Sequence, residues 1–207
     1  EKTGAPIEAE IDLATGQSRI CNTHPGTDGQ VFGTAMRLPF RTMRNSQLVY
    51  SFGFSPYLRI LEIDKSSKRK VFMPSRFQKQ KAIAVKEPTR ENLSRNDFEN
   101  TMYGPIVYDP YRDVFYRFIL HAIPAIDPET GRPNHPVEDR PFSIQVLSAD
   151  LRLLAEPAFP AKTYVPNIYY VAPEGLYISS SNYSNPEIKE DVYAFTRFEL
   201  VERTEDE

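Results

Sequence analysis

The chain has 207 residues, of which 40% are hydrophobic and 26% charged, so it is long enough to bury a sizeable core and too apolar to be disordered. Its 18 Pro, 13 Phe and 12 Tyr argue against a long helical bundle and favour strands, and its one Cys excludes a disulfide within the chain. A net charge of −3 argues against a nucleic-acid partner. The sequence has no run of 18 apolar residues, which argues against a membrane-spanning helix.

The first predicted element is a hairpin over residues 7–22. Apolar and acidic residues alternate from 7 to 13, which is the period-2 pattern of a half-buried strand. Asp12 opens the turn, where its carboxylate can accept hydrogen bonds from backbone amides two residues on. We therefore assign Asp12 a structural role.

Later segments show the same strand signals, separated by Pro, Gly and Asn. The polar segment 87–100 after Pro88 instead predicts a short helix. The further strands predicted in chain order are 48–54, 57–63, 68–73, 82–85, 104–108, 114–123, 142–148, 151–159, 168–171, 175–181 and 192–201.

A turn followed by a β-branched or aromatic run recurs, with markers at Asn45, Pro110 and Glu174 that lie 65 and 64 residues apart. Four strands and a long loop fill that spacing, which predicts an all-β, β-propeller-like fold of antiparallel four-stranded sheets. Closure needs at least about four blades. We therefore predict that residues 1–207 form one propeller-like domain of about three blades plus a hairpin. This partial or incomplete ring would belong to a larger propeller, completed by a missing N-terminal half or by a second copy in a homo-oligomer.

Functional-looking side chains are densest around the strand at 113–121. On that strand Arg117 and His121 share one face, where a guanidinium and an imidazole could bind an anion or a carbonyl ligand. In the alternative interpretation, Arg117 pairs with a carboxylate such as Asp109 or Asp113 and holds neighbouring blades together. The predicted ligand-binding residues are Arg117, His121, Tyr103, Tyr111 and Arg112.

Five Pro interrupt the segment 124–141, which therefore cannot pair continuously within a sheet. The pattern predicts a projecting loop or irregular hairpin with its tip at 127–131. Long loops inside compact domains are often functional, so we expect this one to recognise a partner. The predicted partner-binding residues are Asp127, Glu129, Asn134 and His135.

Motifs for metals and cofactors are missing from the sequence. The three His lie in different segments without metal-ligand spacing, and no phosphate-binding loop or nucleophile motif occurs. We predict no metal site and no cofactor. The basic segment 65–86, which contains no acidic residue, favours a charged edge strand that blocks sheet-to-sheet aggregation; the alternative is an acidic partner or a membrane surface.

Several short motifs resemble a Bacteroidetes-type bacterial lipoprotein family of unknown function with a six-bladed β-propeller fold. The resemblance covers about residues 7–200 and includes the C-terminal half or more of that family. The residues that carry it are 103–112, Tyr116-Arg117, 174–178, Asn185-Pro186, Glu190-Asp191 and 195–200.

The resemblance implies an exported protein in the periplasm or at the outer-membrane surface of a Gram-negative bacterium. It also implies a membrane tether through an N-terminal lipidated Cys, which would precede the first residue of this sequence. Without catalytic residues to carry over from the family, we expect a non-enzymatic binding or scaffold module of the cell envelope with a protein or glycan partner. The alternative is a carbohydrate-active hydrolase with a channel-facing pocket near Arg117 and His121.

Overall fold

Antiparallel sheets dominate the computed structural model, which describes residues 8–21, 27, 29–63, 67–186, 188 and 191–201. This part of the chain confirms the all-β prediction, because it holds sheets of three to five strands beside a two-stranded hairpin and one short α-helix. The described residues contain no helix that is long and apolar enough to cross a membrane.

The predicted first hairpin is present as β1 (Glu8–Ile11) and β2 (Ser18–Cys21). Asp12 closes its turn, since Oδ1 accepts hydrogen bonds from the backbone N–H of Ala14 at 2.8 Å and of Thr15 at 3.2 Å. The structural role assigned to Asp12 is therefore confirmed. Residues 7 and 22, at the ends of the predicted hairpin, lie outside the described residues.

The first sheet is a four-stranded meander of consecutive strands. Its strands are β3 (Pro39–Arg44), β4 (Gln47–Phe52), β5 (Tyr57–Glu62) and β6 (Ser67–Phe72). Asn45 begins the β3–β4 turn with a left-handed φ of 53°, a conformation that Asn tolerates better than most residues. The edge strand β6 exposes Lys68, Arg69 and Lys70, as expected for a charged edge.

The second sheet has five strands and forms the middle layer. Its strands are β7 (Met102–Asp109), β8 (Val114–Leu120), β9 (Phe142–Ser148), β10 (Leu153–Ala155) and β11 (Ala158–Phe159). They follow the order β7-β8-β9-β10, with β11 also paired to β9. Pro157 lies between β10 and β11, so the predicted single strand over 151–159 is divided.

The third sheet has three strands in the described part of the chain, one fewer than each predicted blade. They are β12 (Val165–Ala172), β13 (Gly175–Ser179) and β14 (Phe195–Phe198). Gly175 approaches the neighbouring strand so closely that a Cβ atom would lie 2.4 Å from the carbonyl oxygen of Phe198. The turn that precedes β13 thus requires glycine.

Strand β8 is buried along all seven residues because both faces of the second sheet are covered. Phe118 belongs to a core cluster shared with Leu176 and Ile178 of the third sheet. Phe115, from the opposite face, belongs to a cluster shared with Val49 and Ile60 of the first sheet. The three sheets therefore stack in chain order. Alternate side chains of β8 pack against the first sheet on one face and against the third sheet on the other.

The helix α1 (Arg90–Glu99) confirms the predicted short helix, and Thr89 caps it by accepting from the backbone N–H of Asn92 at 3.2 Å. The strand predicted at 82–85 is wrong. Ile83 makes its hydrogen bonds with side chains of the helix, donating to Asn100 Oδ1 at 2.8 Å and accepting from Asn96 Nδ2 at 2.6 Å. These side-chain amides bond to the backbone N–H and carbonyl oxygen of Ile83, which would otherwise bond to a neighbouring strand.

Candidate functional site

A cleft opens where the coil after β6, the end of α1 and the adjoining ends of β8 and β9 meet. Its volume is about 450 Å³, within the range of roughly 300 to 1,000 Å³ usual for small-molecule sites. The side chains that matter for its chemistry are Phe77, Lys79, Gln80, Glu99, Thr101, His121 and Pro141. Among the predicted site residues, His121 alone belongs to this lining.

Arg140 connects two of the segments that form the cleft. Its guanidinium donates to the carbonyl oxygens of Asp97 at 2.7 Å and Asn100 at 2.6 Å, at the C-terminal end of α1. It also donates to the carbonyl oxygens of Leu120 at 3.1 Å and His121 at 2.7 Å. One buried cation therefore satisfies the last carbonyls of the helix and joins them to the end of β8.

Besides Asn100 and His121, the cleft presents four polar side chains of different kinds. Lys79, Gln80 and Glu99 are exposed and contribute an ammonium, an amide and a carboxylate. Thr101 is only 8% exposed but lines the cleft, and its hydroxyl is not one of the buried, unpaired polar atoms among the described residues. Its position in the lining makes Thr101 a candidate contact for a ligand.

His121 is held as a neutral imidazole. Its ring stacks on Phe77 with centroids 4.6 Å apart, and Nε2 lies 3.0 Å from Ser143 Oγ. Burial, reinforced by the charge of Arg140 and opposed by that of Glu156, lowers the pKa of His121 to about 4. The ring therefore carries no charge near pH 7.

A hydrogen-bonded polar network lies behind His121 and ends at Glu156, which is 5% exposed. The carboxylate accepts from Ser75 Oγ at 2.5 Å, from Ser143 Oγ at 3.1 Å and from the backbone N–H of Arg76 at 3.1 Å. Ser143 gives its single proton to Glu156, so it accepts from His121, and the hydrogen-bond pattern assigns the proton of His121 to Nε2. This polarity is opposite to that of a base activating a serine nucleophile.

Arg117 is fully buried between the first and second sheets. It donates to Ser51 Oγ at 2.9 Å and to the carbonyl oxygens of Ser55 at 2.9 Å, Pro56 at 3.3 Å and Met73 at 3.2 Å. The expectation that it pairs with Asp109 or Asp113 is wrong, although it does join neighbouring sheets. Carbonyl oxygens of the first sheet's connecting segments bond to the guanidinium in place of the predicted carboxylate. Burial lowers the pKa of Arg117 to about 9.

Tyr103 is fully buried beside Arg117, whose guanidinium carbon lies 4.2 Å from the centre of the phenol ring. Its hydroxyl donates to Gln78 Oε1 at 2.6 Å and accepts from the backbone N–H of Ser75 at 3.0 Å. Burial raises the pKa of Tyr103. Arg117 and Tyr103 therefore lie together, but between sheets and away from solvent.

Arg112 and Tyr111 lie at the turn between β7 and β8. Arg112 pairs with the buried Asp109 at 3.0 Å and donates to the carbonyl oxygens of Ala172 at 3.3 Å and Pro173 at 2.7 Å in the third sheet. Tyr111 is 57% exposed. Arg112 thus joins the second and third sheets, and neither residue belongs to the lining of the cleft.

The turn also carries the ion pair between Asp113 and Arg44, at 2.7 Å, which connects it to the first sheet. Asp113 has a left-handed φ of 53°. Asp109 and Asp113, the two carboxylates predicted as partners of Arg117, therefore pair with Arg112 and Arg44 instead. Three arginines, including Arg117, join the three sheets.

The loop 124–141 forms the irregular hairpin that its Pro content predicts, with a bridge between Ile126 and Pro133. Asp127 closes the tip by accepting from the backbone N–H of Glu129 at 2.8 Å and lies 3.6 Å from Lys162 Nζ. The base is held more firmly than the tip. Its anchoring contacts are Asn134 Nδ2 to the Pro124 carbonyl at 2.9 Å, the His135 N–H to Asp139 at 2.6 Å, and the Tyr183 hydroxyl to Asp139.

Within the described residues, no group of three or more His, Cys, Asp or Glu side chains could hold a metal ion. Sequence reasoning missed Phe77, Lys79, Glu99 and Thr101 as cleft residues. Glu99 and Thr101 have no motif around them, and packing of distant segments brings all four together. The basic segment 65–86, which contains Phe77 and Lys79, was the one usable signal.

Comparison with known proteins identifies a family and a similar solved structure. The family described as a domain of unknown function, DUF4221, matches residues 12–158. A crystal structure of a DUF4221 member from Bacteroides vulgatus is 30% identical in sequence, with a TM-score of 0.78 over 92% of this chain. This chain spans 54% of that protein. None of the curated proteins matches.

Proposed function

This chain belongs to the DUF4221 family, and from that premise and the geometry of the cleft we propose that it is a non-enzymatic binding module of the bacterial cell envelope. The observation that carries the proposal is a division between two sets of polar groups. Those suited to catalysis, Ser143, His121 and Glu156, bond to one another. The other polar side chains of the lining, among them Thr101 and Glu99, take no part in that network and can contact a ligand.

The orientation of the polar network supports binding over hydrolysis. A serine nucleophile needs an unprotonated nitrogen facing its hydroxyl, whereas Ser143 donates to Glu156 and accepts from His121. A carbohydrate-active hydrolase would normally need two carboxylates flanking the bond to be cleaved. Glu99 is the one carboxylate among the residues that line the described cleft.

The cellular setting of the proposal follows from relatives and from architecture. The similar solved protein comes from Bacteroides, which fits the predicted periplasmic or outer-membrane location with a lipid tether. Stacked antiparallel sheets are consistent with a segment of a β-propeller. Because the chain spans 54% of the Bacteroides protein, we place the rest of such a ring in additional sheets, from a longer polypeptide or a second copy.

The test is to measure retention and turnover on the same ligands. The purified chain is applied to arrays of glycans and envelope peptides, and the retained ligands are then incubated with it and analysed by mass spectrometry. The proposal expects retention without cleavage. Cleavage that disappears in Glu99→Gln would overturn it in favour of the hydrolase, and a chain that retains nothing would also count against it.

A further inference from the structure

We propose that the cleft between α1, the coil after β6 and the end of β8 binds a neutral saccharide of one or two rings. This inference rests on the proposed binding function and names its ligand class. It depends on three properties of the lining: its charge balance, its mixture of donors and acceptors, and its apolar floor.

The charges of the cleft favour a ligand without net charge. Lys79 contributes one positive group and Glu99 one negative group, both exposed. Burial keeps His121 neutral down to a pKa of about 4. A phosphate or polyanion would need several cations at one site, and a cationic ligand would need the reverse.

The polar side chains match the bonding needs of sugar hydroxyls, each of which can donate and accept a hydrogen bond. Glu99 accepts, Lys79 donates, and the amide of Gln80 does both. Thr101 also belongs to the lining and adds a hydroxyl that can both donate and accept. A hydroxyl-rich ligand can use all four of these side chains.

The apolar surface of the cleft suits the C–H face of a pyranose ring. Phe77, Pro141 and Ala122 contribute carbon atoms to the lining. The ring of Phe77 is already stacked on the His121 ring at 4.6 Å and packed by the Arg76 guanidinium, 4.8 Å from its centre, so it contributes a fixed apolar contact and not a free face for stacking. A fixed side chain loses little conformational entropy on binding.

An amino-acid or peptide zwitterion is the competing ligand class. Its two charges could pair with Lys79 and Glu99, and its amide could bond to Gln80 or Thr101. Its affinity would fall as salt screens the two charge pairs, whereas the affinity of a neutral sugar would not. Salt dependence therefore separates the two classes.

The experiment uses saturation-transfer NMR and calorimetry with cellobiose, maltose, lactose and N,N′-diacetylchitobiose, and with the dipeptide Ala-Ala as competitor. We expect at least one disaccharide to bind with an affinity that changes less than twofold between low and high salt. Thr101→Val should weaken that affinity about three- to tenfold, the loss of one hydrogen bond, and Thr101→Ser should restore it. Lys79→Gln should weaken it too, whereas the matched control Lys81→Gln, outside the cleft lining, should not.

Three outcomes would overturn the saccharide assignment: no binding of any of the four sugars, salt-sensitive binding of Ala-Ala alone, or equal sugar affinity in Thr101→Val and the parent. None of these results would by itself show catalysis. The two failures are therefore distinguishable. Turnover of a retained ligand would contradict the binding proposal, whereas the three outcomes above would contradict only the saccharide assignment.

Discussion

Replacing Arg117 with Met should destabilise the protein by about 3 kcal/mol. Met keeps the apolar stem but leaves the buried carbonyl oxygens of Ser55 and Met73 without a donor, whereas the Pro56 carbonyl oxygen still accepts from the backbone N–H of Met73 at 3.1 Å. Each orphaned acceptor costs roughly 1 to 3 kcal/mol, and release of a buried charge offsets part of that sum. Ser51 adds little, since its hydroxyl also contacts the Tyr103 carbonyl oxygen at 3.4 Å.

The assay is urea unfolding followed by far-UV circular dichroism, which suits a chain without Trp. Arg117→Lys keeps the charge but offers fewer donors, so it should lose about half as much stability as Arg117→Met. The control is Arg132→Met in the exposed tip of the loop, which should change stability by less than about 0.5 kcal/mol. If Arg117→Met were as stable as the control, the guanidinium would not hold the two sheets together.

Three further predictions concern His121, Gly53 and the loop. The pKa of His121 is about 4 in the folded chain and about 6.5 when unfolded, so the unfolded state binds more protons between these values. Stability should therefore fall by about 2 kcal/mol as pH drops from 6.5 to 4, after discounting for partial exposure, and His121→Gln should remove that slope in pH-dependent urea titrations. Gly53→Ala should lower stability by about 1 to 3 kcal/mol in the same assay, because a Cβ would lie 2.6 Å from the carbonyl oxygen of Met36; an unchanged midpoint would refute this contact. Deleting residues 126–137 should leave the melting temperature nearly intact in calorimetry while reducing partner capture, and a collapse of stability would show that the loop is structural.

Local signals in the sequence predicted most of the strands and the helix. The alternating pattern before Asp12 and the polar stretch after Pro88 are both local, since each depends on residues only a few positions apart. The strand β1 and the helix α1 that they predicted are both present. The strand expected at 82–85 failed for a non-local reason. Its apolar pattern is real, but the partners of Ile83 are Asn96 and Asn100, amides on a helix that follows in the chain.

The candidate site was harder to predict because its chemistry depends on which residues are buried together. Arg117 and His121 share a face of β8 in the sequence pattern, yet one is enclosed between sheets and the other borders the cleft. Thr101 carries no motif at all. Its place in the cleft lining follows from the packing of α1 against the second sheet, which only three-dimensional structure can show.

The contacts of Arg117 also constrain the order in which the chain can fold during synthesis. Two of the carbonyls that it satisfies, those of Ser55 and Met73, belong to residues 62 and 44 positions earlier, so they emerge from the ribosome first and remain hydrated until β8 arrives. The first sheet should therefore be incompletely formed in a nascent chain that ends before residue 114, and become protected from hydrogen exchange in the same step as the second. An early stop in this region would leave an intermediate dependent on chaperones rather than a small independent domain.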